Sequence, residues 1–225
     1  MQKNPLSTFG ICIVLFGVTL LCTLPVRAAS DVSMSAQEAR QTLADFMQAV
    51  TSLHAKFEQS VVATESTDEI ETEIGELWLQ RPGQFRWRYS EPSEREIIAD
   101  LENIWLYDAD LDQVTVRPVE NAVAESPAAL LVGNIAALDQ YVISGRRSAD
   151  GMVRIGLEPI KANGDFQSIE LGFAANELAL LELNDRFGQS TTVRFSAVER
   201  NPQIAPSVFE FILPDGADVI DQRVK

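Results

Sequence analysis

Four stretches of this chain alternate apolar and polar side chains with a period of two. Phe85, Trp87 and Tyr89 interleave with Arg86, Arg88 and Ser90, and Val114 and Val116 with Gln113, Thr115 and Arg117. Val153, Ile155 and Leu157 interleave with Arg154 and Glu158, and Val193, Phe195 and Ala197 with Thr192, Arg194 and Ser196. Side chains return to the same side at every second position only in a strand, so each stretch has one greasy and one wet face. That is the signature of antiparallel sheet packed on one side only. Turn signals punctuate the runs at Asp150-Gly151, Asn163-Gly164, Asn184-Asp185 before Gly188, and Pro214-Asp215-Gly216. The pattern predicts a long meander of hairpins that curls and must cover its apolar face.

Two helices are available as cover. Ser35-Ala36-Gln37-Glu38 reads as a capping box, with Ser35 as N-cap and Glu38 reaching back. Behind it Ala36, Ala39, Leu43, Phe46, Val50 and Leu53 recur at steps of three and four, one apolar stripe on a helix of about four turns. Ser126-Pro127 starts a second, short helix through residues 128–132 (AALLV), which Gly133 stops; Asn134 caps a further turn. No internal repeat or linker divides the chain. The architecture expected from these residues is α+β: one curved antiparallel sheet with both helices over a concave apolar face.

The first segment is a targeting signal. Lys3 precedes an uncharged apolar run over residues 9–24, Pro25 breaks it, and Val26-Arg27-Ala28 forms a cleavage site. The expected division is a cleaved signal over residues 1–28 and a single domain over residues 29–225. The run is slightly short for a membrane anchor, and Leu21 before Cys22 fails the lipoprotein pattern, which needs a small residue there. Both cysteines, Cys12 and Cys22, leave with the signal, so disulfides, thiol catalysis and cysteine-held metals are excluded. Loss of Lys3 and Arg27 takes the net charge from −15 to about −17. Such a chain is repelled by nucleic acid and by anionic membrane surfaces.

Signs of catalysis are missing. His54, the one histidine, follows the helix stripe, and no G-x-S-x-G nucleophile elbow accompanies it. Residues 108–112 (DADLD) resemble the start of a calcium loop, but Gln113 and Val119 stand where glycine and glutamate are needed. A solvated turn between two strands is the better reading. No metal cluster, phosphate loop or dinucleotide fingerprint is present, so no cofactor is expected. Arg81 has two readings. It is an exposed turn residue, or it turns inward to bond main-chain carbonyls at a helix end, a task suited to the five donors of guanidinium.

Residues 77–89 (LWLQRPGQFRWRY) resemble the hallmark of the outer-membrane lipoprotein carrier family, LolA. Four further pieces agree in order: Phe57-Glu58-Gln59; Trp105-Leu106-Tyr107-Asp108 with Asp112-Gln113-Val114; Ser126-Pro127-Ala128-Ala129-Leu130-Leu131; and Asp221-Gln222-Arg223. The resemblance implies an unclosed, strongly curved β-barrel under a helical lid, in the periplasm. It implies a non-enzymatic monomer that takes triacylated lipoproteins from an inner-membrane ATP-binding-cassette complex, LolCDE or a variant, and passes them to the outer-membrane receptor LolB. No stable membrane insertion is implied. It makes Arg81 the lid latch, bonded to carbonyls near Leu131, Val132 and Met47, and places Phe85 beside the cavity mouth.

The candidate lipid cavity is lined by Leu43, Phe46, Met47 and Val50 on the first helix and by Leu130, Leu131 and Val132 on the second. Trp78, Phe85 and Trp87 are the candidate wall. Ordinary core packing is the competing reading for each. Three other functions remain: an outer-membrane receptor, opposed by the missing lipid-attachment cysteine; a periplasmic lipoprotein sensor, which needs an additional domain; and a lipid hydrolase, opposed by the absent nucleophile motif.

Overall fold

The computed structural model describes residues 30–63, 72–119, 131–132, 135–161 and 166–223. Its elements in chain order are β1 (Val32–Met34), α1 (Ala36–Ala49), β2 (Ser52–Ala63), β3 (Thr72–Gln80), β4 (Gln84–Glu91), β5 (Arg95–Asp100), β6 (Asn103–Asp108) and β7 (Gln113–Pro118). A 3-10 helix (Ile135–Gln140) leads to β8 (Tyr141–Arg147), β9 (Val153–Pro159), β10 (Phe166–Ala174), β11 (Glu177–Asp185) and β12 (Gln189–Arg200). A 3-10 turn (Pro206–Phe209) and β13 (Asp218–Asp221) follow.

All thirteen strands join in one sheet, ordered β1-β8-β9-β10-β11-β12-β2-β3-β4-β5-β6-β7-β13. Two hairpin meanders, β8 to β12 and β2 to β7, meet where β12 pairs antiparallel with β2. This corrects the expected strongly curved barrel. Among the described residues the sheet is open, with β1 and β13 at its two ends and no pairing that joins them, and it is not strongly curled. Nor is it antiparallel throughout, because β13 lies parallel to β7. Alternation reports which face a side chain occupies, whereas the curl of a sheet depends on twist and bulges that alternation does not encode.

Register keeps the apolar residues on one face. Leu77 pairs with Trp87 and Leu79 with Phe85 across β3–β4, Val193 pairs with Leu181, and Leu171 with Ile155. All eight are fully or almost fully buried. Gly75 is required here: a Cβ would lie 2.0 Å from the Arg88 carbonyl oxygen and 2.6 Å from the Phe57 ring. In one of the four alternating stretches the pattern breaks. Ala197, expected on the apolar face, is exposed at φ +50°, where the β12–β2 register shifts between Ser196 and Glu199.

Helix α1 lies over this face. The hydroxyl of Ser35 accepts from the Glu38 N–H at 3.1 Å, giving half of the expected capping box. The Glu38 carboxylate turns instead to Arg147, 3.3 Å away. Ala39, Leu43, Phe46 and Met47 are buried, and the larger ones each contribute about 1.5–3 kcal/mol through burial. The helix ends at Ala49, so Val50 is its C-cap and Leu53, the last member of the stripe, already belongs to β2. At Ala39 the helix comes so near β8 that a Cβ on Gly145 would sit 2.7 Å from the alanine methyl. The second helix falls mostly outside the described residues, as do the signal, Leu130 and the turn at Asn163-Gly164; Leu131 and Val132 are helical. Among the described residues no helix is long and apolar enough to cross a membrane.

Candidate functional site

The β3–β4 hairpin carries Arg81 toward the end of α1. Its backbone N–H donates to the Thr51 carbonyl at 2.8 Å, fixing the turn against the α1–β2 junction. From there the guanidinium points inward. Nη1 donates to the carbonyl of Val50, and Nη2 donates to the carbonyl of Leu131 at 2.6 Å. The charge lies 5.7 Å from the Phe46 ring centroid, a favourable cation–π arrangement. Among the described residues it has no carboxylate partner. Nε is buried without a hydrogen bond, and burial pushes the Arg81 pKa down to about 10. Helix-end carbonyls carry partial negative charge, which offsets part of that cost. One cation therefore bridges the end of α1 to the segment bearing Leu131.

The inward reading of Arg81 describes its geometry. The carbonyls it reaches are those of Leu131 and Val50; Met47 and Val132 contribute side chains to the core. Leu43, Phe46, Met47, Val50, Leu131 and Val132 share one apolar cluster with Phe85 and Trp87. Phe46 meets Phe173 of β10, ring centroids 5.0 Å apart. Trp87 packs between Phe57, centroids 4.6 Å apart, and Phe195, at 6.1 Å.

Trp78 is the exception among the candidates. It pairs with Arg86, while the buried parity of β3 falls on Leu77 and Leu79. It lies on the opposite face, stacked on His54 with centroids 5.0 Å apart and planes 16° apart. The run Leu77-Trp78-Leu79 is apolar at every position, so sequence did not reveal which member faced in. His54 is a strand residue of β2, not a helix end. Residues 108–112 are the turn between β6 and β7, where the Asp108 carboxylate accepts from the N–H groups of Asp110 and Leu111 at 3.0 and 3.2 Å.

The sequence reading missed several residues. Phe57, Leu77, Leu79, Phe173 and Phe195 belong to the same apolar cluster. A polar network also borders the apolar face. The Tyr89 hydroxyl donates to Gln59 Oε1 at 3.2 Å, and Gln59 Nε2 donates to Glu73 at 2.7 Å. Arg95 pairs with Glu73 and stands 4.6 Å over the Tyr89 ring. Burial, reinforced by Glu73, pushes the Tyr89 hydroxyl up to about 12. At the end of α1 the Ala49 carbonyl accepts from Asn201 Nδ2 at 2.9 Å. No motif pointed to Asn201, and only its position after a bulged strand end could have done so.

Taken together, these features describe an open sheet whose apolar face is covered by a helix, with one half-buried arginine bonded to main-chain carbonyls at the helix end and at Leu131, an arrangement of the kind a non-catalytic binding protein uses. Among the described residues no group of acidic, histidine or cysteine side chains is placed to hold a metal. Residues 48–212 match the family model described as outer membrane lipoprotein carrier protein LolA. An outer-membrane lipoprotein carrier protein of Methylobacillus flagellatus is 39% identical over 182 residues, 81% of this chain and 88% of the relative. One from Alkalilimnicola ehrlichii is 40% identical over 182 residues, 81% and 83% of the two chains. An uncharacterised conserved protein of Thermus thermophilus shares the fold, with TM-score 0.52 and 13% identity over 84% of this chain and 100% of its own. The chain belongs to the LolA family of outer-membrane lipoprotein carriers. It is a periplasmic lipoprotein carrier and not an enzyme.

Proposed function

We propose that the chain holds the acyl chains of triacylated lipoproteins against the apolar sheet face beneath α1, and that Arg81 is the latch closing that face when it is empty. The observation that carries the reading is the half-buried guanidinium spanning the Val50 and Leu131 carbonyls. Cargo is received from an inner-membrane ATP-binding-cassette complex of the LolCDE type and surrendered to an outer-membrane receptor of the LolB type. The working form is the monomer released by signal cleavage after Ala28.

Energies of the right size support the cycle. Each buried methylene contributes about 0.8 kcal/mol, so a fraction of one acyl chain offers several kcal/mol. A carrier that kept all of it could not let go. A closed empty state held by two charged hydrogen bonds opposes loading and favours release.

The test uses the purified mature protein, inner-membrane vesicles with processed lipoprotein and an energised release complex. The expected result is intact lipoprotein in the soluble fraction, bound one-to-one. Free fatty acid in its place would indicate a hydrolase. Lipoprotein left in the vesicles would contradict the carrier reading.

A further inference from the structure

The latch needs a fixed point to pull against, and Asn201 is placed to supply it. It follows β12 directly and sits at φ +56°, a left-handed conformation that asparagine tolerates better than most side chains. Its N–H donates to the Ser52 carbonyl at 2.8 Å. Its Oδ1 accepts from the Thr51 N–H at 2.8 Å, the Thr51 hydroxyl at 3.1 Å and the Ser52 N–H at 3.3 Å. Its Nδ2 donates to the Ala49 carbonyl at 2.9 Å. The Ser52 hydroxyl returns a bond to the Pro202 carbonyl at 2.7 Å.

Two consecutive peptide units are thereby held from both ends. The Val50–Thr51 unit gives its N–H to Asn201 and its carbonyl to the Arg81 guanidinium. The Thr51–Ser52 unit gives its N–H to Asn201 and its carbonyl to the Arg81 N–H. A peptide unit is planar, so anchoring the N–H aims the carbonyl. It also polarises that carbonyl and strengthens its bond to the guanidinium. The carboxamide suits this because its acceptor and donor are separate atoms: Oδ1 takes the two N–H groups while Nδ2 donates to the last helical carbonyl.

The rest of α1 is equally well seated. Arg40 pairs with Asp139 at 2.6 Å and Glu38 with Arg147 at 3.3 Å, and Ala39 lies tight on Gly145. We infer that Asn201 is a positioning residue of the latch, clamping the α1–β2 junction so that the Val50 carbonyl is a fixed station for the Arg81 guanidinium. The inference rests on the carrier reading of the preceding subsection.

The experiment uses the mature chain with a synthetic tripalmitoylated cysteinyl peptide as probe, read by transfer to acceptor vesicles and by amide exchange at Thr51 and Ser52. In the parent protein, probe binding leaves exchange at these two amides unchanged. Asn201→Gly keeps the backbone conformation and removes the grip. It speeds their exchange roughly ten-fold, the loss of about one to two hydrogen bonds, and slows probe transfer. Combined with Arg81→Leu it slows transfer no further than Arg81→Leu alone. Asn201→Asp keeps the acceptor and lies between Asn201→Gly and the parent in both readouts, which holds the test open if the glycine variant does not fold. Multiplied effects in the double variant, unchanged transfer in both Asn201 variants, or faster Thr51 exchange on loading would overturn the clamp. A parent chain that binds no probe would overturn the carrier reading itself, and the clamp with it.

Discussion

Replacing Arg81 by leucine removes the proposed latch and leaves an apolar side chain in its place. Two bonds from a charged donor are lost, to Val50 and Leu131, each contributing about 1.5–3 kcal/mol. The same burial that lowers the Arg81 pKa to about 10 opposes them. A net of about 2 kcal/mol for the closed state corresponds to roughly 30-fold in its population relative to the open one. An empty state that closes on itself competes with cargo, so weakening it tightens apparent binding by the same factor. Arg81→Leu is therefore expected to bind a fluorescent triacylated peptide up to roughly 30-fold more tightly and to release it to acceptor vesicles correspondingly more slowly. Arg81→Lys has a single ammonium in place of a fork and should fall between. Equilibrium titration and stopped-flow transfer measure both quantities. Affinity and release within about two-fold of the parent would refute the latch, since even one net hydrogen bond exceeds that.

Further outcomes follow from the packing and the polar network. Trp78→Ala should leave peptide binding unchanged, because Trp78 lies on the face away from the apolar cluster. Trp87→Ala, by contrast, should cost about 3–5 kcal/mol in denaturant unfolding. Gly145→Val forces the helix off β8, where even a Cβ would meet Ala39 at 2.7 Å; the expected loss is about 1–3 kcal/mol, with faster amide exchange along α1. Tyr89 should titrate near pH 12 by ultraviolet absorbance. Its folded pKa lies above the unfolded value of about 10, so its contribution is complete below pH 10 and is lost as pH rises through 12. Gln59→Leu, which removes its hydrogen bond, should shift that titration.

Much of the sheet was legible because a half-buried strand must alternate, and Phe85, Trp87, Val114, Ile155, Leu157 and Val193 face in as their spacing requires. The same rule could not place Trp78, whose neighbours on both sides are leucine, nor foresee that the bulge near Ser196 turns Ala197 outward. Helix α1 was legible from Ser35 and its stripe; its end was not, since Val50 and Leu53 continue the helical spacing into a cap and a strand. The expected strong curvature was overturned because the curl of a sheet is set by twist and bulges along all its strands, not by the alternation within any one of them. Family motifs distant in sequence also meet in space. The Arg223 guanidinium of the D-Q-R segment lies 5.4 Å over the Trp105 ring of the W-x-Y hairpin. That contact and the Val50 and Asn201 bonds depend on tertiary structure, which no local pattern encodes.

The account stands on lipid chains occupying the apolar face beneath α1 in the working protein. Native mass spectrometry of the chain recovered from the periplasm, without added detergent, weighs what it carries. The expected spectrum contains a one-to-one complex with a lipoprotein retaining three acyl chains, enriched in Arg81→Leu. Bare protein alone in both variants, from cells actively making lipoproteins, would contradict it.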